Sequence, residues 1–149
     1  MTTMRDRLKD EMKLAMKARE KVRLGAIRLM LAAIKQKEVD ERIVLDDQQV
    51  IAVLDKMLKQ RRESIKQYRD ASREDLAEVE EAEVLVIQDF LPQALTEEEI
   101  NGMVKSAIAD CSASSIKDMG KVMAALKPVM QGRADMAIVS TQIKSMLAT

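Results

Sequence analysis

The sequence predicts an all-α protein, with an N-terminal four-helix bundle over residues 1–92 joined to a smaller C-terminal three-helix bundle over residues 93–149. Three observations lead there. Apolar residues recur at the three- and four-residue spacing of packed helix faces, and no stretch alternates with the period of two that a strand requires. With four Gly and two Pro in 149 residues, 47% of them hydrophobic, few positions can break a helix. Finally, Pro92 follows one apolar stripe, and Leu95, Thr96, Glu99 and Ile100 open the next as a capping box flanked by a hydrophobic pair. A helix end and a helix start that close together mark the boundary between the bundles.

In chain order, Met4, Leu8, Met12, Ala15 and Met16 define a first amphipathic helix from Thr3 to about Arg19, with Arg5, Lys9, Lys13 and Lys17 outside. Glu20 to Glu38 is apolar nearly all round and is expected to be the buried helix, with Gly25 allowing close approach of a neighbour. Asp46 and Gln49 form a box-like cap between Leu45 and Val50. The third helix packs through Val50, Leu54, Met57, Leu58, Ile65 and Tyr68. Its second half, Asp55 to Arg73, carries seven basic residues against three acids, and Glu74 to Asp89 answers with seven acids and no base. Antiparallel helices carrying these blocks could neutralise one another in part, so the basic block reads as a solvated or self-paired face ahead of a nucleic-acid stripe. Ser72 and Asp75 are expected to open the fourth helix, whose inner face is Leu76, Val79, Ala82, Val86 and Phe90 and whose end is Leu91. Beyond the boundary, one helix rests on Ile100, Met103, Val104, Ala107 and Ile108, and the last on Ile138, Val139, Ile143, Met146 and Leu147.

Composition narrows the function. Lys plus Arg and Asp plus Glu number 25 each, a formal charge of zero, which excludes a strongly basic non-specific nucleic-acid binder and leaves room only for a local patch. Histidine is absent, removing the commonest general base and metal ligand. No phosphate-cradling glycine motif or nucleophile elbow is present. Cys111 has no histidine partner and reads as an ordinary thiol. Glu80, Glu81 and Glu83, or Glu97 to Glu99, read as helix-surface and first-turn acids better than as cation ligands. We therefore expect no catalytic residue, no metal and no cofactor. The single cysteine, the lack of a membrane-length apolar run and the polar N-terminus lead to the expectation of a cytoplasmic protein.

The stretch from Ser115 to Asp135 stands out. Ser115 and Asp118 read as a helix start, and Lys117 and Lys121 share a face opposite Met119, Met123, Leu126 and Met130. Pro128 should kink or stop the helix near Lys127, Gly132 can turn the chain left-handed, and Asp135 can cap the next helix. Helix-start amides with Lys117, Lys121 and Arg133 would make an anion site, although such a face is also what a packed helix with solvated lysines looks like.

Several runs resemble the YqeY family: R-R-E-S-I-K-Q-Y from Arg61, A-S-R-E-D-L-A from Ala71, F-L-P-Q-A-L-T-E-E-E from Phe90, S-S-I-K-D-M-G-K-V-M from Ser114, G-R-A-D from Gly132 and R-L-G-A-I-R-L-M from Arg23. That family is similar to the C-terminal tail of the GatB chain of aspartyl/glutamyl-tRNA amidotransferase, the GatB/YqeY domain, a pair of helical bundles that helps recognise tRNA. The resemblance implies a non-catalytic module that binds tRNA or structured RNA, and implies a role for Lys117, Gly120, Lys121, Gly132 and Arg133, where the signature matches. Ala124 and Met136 stand where the family would have glycine. It does not imply the amidotransferase activity, because nothing here generates ammonia or activates a carboxylate. Two other readings stand beside it: an adaptor whose Met-rich grooves grip a partner protein, and an accessory component of glutamine-dependent carbon–nitrogen ligation.

Overall fold

The computed structural model describes residues 3–148, which are helical apart from short turns and contain no strand. The chain divides into two compact units, residues 1–91 and 92–149.

The N-terminal unit holds α1 (Met4–Ala18), α2 (Lys21–Glu41), α3 (Asp47–Asp70) and α4 (Glu74–Phe90). Its core is Leu8 from α1, Ile27, Met30 and Ile34 from α2, Leu54 from α3, and Ile87 and Phe90 from α4, each with at most 2% of its surface exposed. Each such side chain contributes about 1.5–3 kcal/mol on leaving water. Phe90 lies beneath two guanidinium groups, with Arg7 at 4.8 Å and Arg23 at 5.3 Å from the ring centroid. Arg23 also bonds Asp89 at 2.9 Å and Glu11 at 3.1 Å, tying α2 to α4 and α1. The box at Asp46 forms as expected: the Gln49 N–H donates to Asp46 at 2.8 Å, and the Asp46 N–H to the Gln49 side chain at 2.9 Å.

The basic and acidic blocks meet. Arg61 of α3 bonds Glu83 of α4 at 2.6 Å, and Arg69 bonds Glu74 at 3.1 Å and also Glu81.

Four local expectations are corrected here. The α2 helix is buried on one side only: Val22, Leu29 and Val39 are 59%, 46% and 64% exposed. Gly25 approaches nothing, since a Cβ built on it would have no neighbour within 4 Å. On α4, Val86 and Phe90 are buried as expected, but Ala77 and Ile87 join them and Val79 is 59% exposed, so the stripe differs from the predicted one in its first half. Ser72 does not cap α4; it takes a left-handed conformation (φ 59°) after α3, Arg73 occupies the cap position, and no side chain bonds the helix start.

The C-terminal unit holds α5 (Glu97–Asp110), a 3-10 turn (Ile116–Asp118), α6 (Met119–Met130) and α7 (Met136–Leu147). Val104, Val122, Met130, Val139 and Ile143 are fully buried at its centre. The capping box at Thr96 is complete: the Glu99 N–H donates to Thr96 Oγ1 at 3.1 Å, and the Thr96 N–H to Glu99 at 3.3 Å. Met130 is buried, and Met119 and Met123 pack half-buried against this core.

Candidate nucleic-acid interface

The segment before α6 starts as a 3-10 turn because a carboxylate gathers its amides. The backbone N–H groups of Ser114 and Ser115 donate to Asp118 Oδ2 at 2.9 and 3.4 Å. The Ser114 amide above all, then that of Ser115 and the charge of Lys121, hold the Asp118 carboxyl below its usual range, against a desolvation that pulls upward. At neutral pH Asp118 is therefore an anion already seated on these two amides. A phosphate cannot use these two amides as well, which precede the first helical residue, Ile116.

The cations fare differently. Lys117 is exposed on the 3-10 turn, and among the described residues no carboxylate pairs with it. Lys121 is 71% exposed and lies 3.9 Å from Asp118 Oδ1, a spacing at which a solvated pair contributes almost nothing. Gly120 is exposed in the first turn of α6, with nothing within 4 Å of a Cβ placed there. Further along the same outward arc lie Ala124, Pro128 and the exposed Lys127, which has no carboxylate partner among the described residues. Gly120, Ala124 and Pro128 recur every fourth residue, so a low strip of small side chains runs along α6 between Lys121 and Lys127. The sequence reading, which expected a kink or stop near Lys127, did not single out this strip. The helix in fact runs on to Met130, whose complete burial anchors the last turn.

Gly132 and Arg133 stand at the other end of α6. Gly132 has φ 80°, as expected of a glycine turning the chain after a helix. Half-buried Arg133 donates from Nε to the Gln93 carbonyl at 3.0 Å, while its own carbonyl accepts the Leu95 N–H at 2.8 Å. It thus clasps the segment leading into α5 to the turn between α6 and α7. At about 1.5 Å per residue, the part of α6 from Lys121 to Met130 spans roughly 13–14 Å before this turn begins. Lys117, Gly120 and Lys121 therefore form one group and Gly132 and Arg133 another, and a single phosphate cannot touch both. Two phosphates along one backbone could.

Reactive chemistry has little to work with here. Cys111 is half-buried at the end of α5, with its Sγ 3.8 Å from the Lys121 carbonyl oxygen. Among the described residues no group of three potential metal ligands converges, and no helix is long and apolar enough to cross a membrane.

The described residues form an all-helical protein that carries a short cationic strip on α6. The chain belongs to the Yqey-like protein family, whose sequence model matches residues 5–147. It is similar to Altered inheritance of mitochondria protein 41, mitochondrial, of the fungus Pyrenophora tritici-repentis, with 31% identity over 144 residues, 95% of this chain and 79% of that protein. Proteins of the same name from Vanderwaltozyma polyspora and Lachancea thermotolerans are 39% and 33% identical over 56% and 72% of this chain. The matched parts are 46% and 59% of those two proteins, so the chain spans about half the length of each. These names overturn the expectation of a cytoplasmic protein. That expectation weighed a secretory signal and a membrane span, both strongly apolar, whereas mitochondrial targeting sequences are amphipathic and leave no such mark.

Proposed function

We propose that this chain binds structured RNA, tRNA foremost, by phosphate and shape contacts on its C-terminal unit, in an architecture of a four-helix bundle followed by a three-helix bundle. The observation that carries the reading is the strip on α6. Lys117, Lys121 and Lys127 border Gly120, Ala124 and Pro128, low enough for a sugar–phosphate backbone to lie against the helix while the ammonium groups reach its phosphates. Gly132 and Arg133 extend the contact to the next turn. Tyr68 and Phe90 are the only aromatic residues, too few for base stacking, so recognition is by shape. A neutral chain with few phosphate contacts binds weakly and gives way to salt. The family's similarity to the amidotransferase tail supports the same reading and does not extend to catalysis.

The test is titration of the full chain with total tRNA, followed by fluorescence anisotropy, at low ionic strength and at about 150 mM salt. Binding at low salt that weakens steeply as salt rises is expected. Absence of binding at low salt overturns the proposal.

A further inference from the structure

Far from that strip in sequence, the N-terminal unit carries a feature its own stability does not need. Between α2 and α4 lies an open groove of about 850 Å³. Its floor is made of small residues: Gly25, Ala26 and Ala32 from α2 and Ala82 from α4. Its ridges are Val22, Leu29 and Val79, about half or more exposed. Gly25 is the telling position. Glycine inside a helix is among the least favourable residues, and here it takes no positive φ and lets no neighbour approach. What the missing side chain provides is depth.

The walls carry opposite signs. Lys21 and Arg28 line the α2 side, two turns apart on one face, and Asp75, Glu78 and Glu83 line the α4 side. No ion pair joins the two walls: Asp75 pairs with Arg73 at 3.0 Å and Glu83 with Arg61 at 2.6 Å, while among the described residues Lys21, Arg28 and Glu78 have no ion-pair partner. Opposite charges held apart across an apolar trough are complementary to a body that fits between them.

We propose that this groove receives an amphipathic helix of a partner protein. That helix has bulky apolar residues at i, i+3, i+4 and i+7, an acidic flank against Lys21 and Arg28, and a basic flank against Asp75 and Glu78. Shape selects this occupant over a second copy of the chain. Two facing grooves floored by glycine and alanine would enclose an unfilled space, which close-packed interfaces do not contain. Large side chains on a single helix fill it.

The probes are three fluorescein-labelled helical peptides of roughly 18 residues, sharing one leucine and phenylalanine stripe. Their flanks are one Glu and one Lys, both Glu, or both Lys. Anisotropy with the full chain is expected to rank the mixed-flank peptide tightest, by about tenfold. The Lys21→Glu/Arg28→Glu protein should shift its preference to the all-Lys peptide, and the Asp75→Lys/Glu78→Lys protein to the all-Glu peptide. Gly25→Leu fills the floor and should weaken every peptide at least about tenfold. The same substitution should raise the thermal midpoint, because leucine is the better helix former, so lost binding cannot be laid to misfolding. Affinities indifferent to flank charge, no binding of any peptide, or unchanged binding by Gly25→Leu would each overturn the proposal. So would a dimer in sedimentation that Gly25→Leu dissolves, for then a second copy fills the groove.

Discussion

Two cationic regions can be compared in this molecule, and in the richer one four of the seven cations are already engaged by acids of the same unit. The second half of α3 with the residues after it holds seven Lys and Arg, against three lysines on and before α6. Arg61 and Arg69 are engaged by Glu83, Glu74 and Glu81 of α4, and Lys59 and Arg73 by Asp55 and Asp75, which leaves Lys56, Arg62 and Lys66 without a carboxylate partner among the described residues, as Lys117 and Lys127 are. A count of basic residues measures neither attraction to phosphate nor contribution to folding. What decides is whether the neighbouring helix supplies the counter-charge.

The comparison can be broken experimentally, beginning with the largest effect. Arg61→Ala leaves Glu83 in a half-buried site without its 2.6 Å partner and should cost about 2 kcal/mol in urea unfolding, with no change in RNA affinity. Equal loss of both would mean that α3 also touches RNA. Arg133→Ala removes the clasp to Gln93 and should cost about 1 kcal/mol. If it contacts phosphate as well, the salt slope of tRNA binding falls too, separating its two roles. Lys117→Ala and Lys121→Ala should leave helicity and unfolding unchanged, each lowering the salt slope by about one unit at most.

The smallest effect concerns pH. Because the folded state holds Asp118 below the usual carboxylate range, its ionised form favours folding above that range, and this contribution disappears as pH falls through the lowered value. Acid below about pH 4 should therefore weaken the C-terminal unit, and Asp118→Asn should flatten that part of the pH profile. At neutral pH the same variant removes the acid beside Lys121, so tRNA binding at low salt should tighten slightly.

Helical class and most packed faces were legible because they rest on periodicity and on short-range caps such as Thr96 with Glu99. The meeting of the basic and acidic blocks was legible for a similar reason, since α3 and α4 are consecutive. What escaped were properties of one helix set by another. Val79 has a plausible inward spacing but points outward, because Ala77 and Ile87 take the contact with the core. Gly25 looked like a packing glycine, and only the distance to neighbouring helices shows that nothing packs there. At the candidate site, the identity of Lys117 and Lys121 was readable, whereas the use of the Ser114 and Ser115 amides by Asp118 was not. A side chain that can cap a helix and an empty helix start look the same in one dimension.

The clasp at Arg133 bears on how the C-terminal unit is best isolated. Gln93 and Leu95 precede α5, yet their backbone groups are bonded to a residue some forty positions later. A recombinant fragment opening at the first helical residue, Glu97, would lack both clasp partners and the Thr96 cap. One opening at Pro92 retains them, and should melt later and resist proteases longer than its five-residue-shorter sibling.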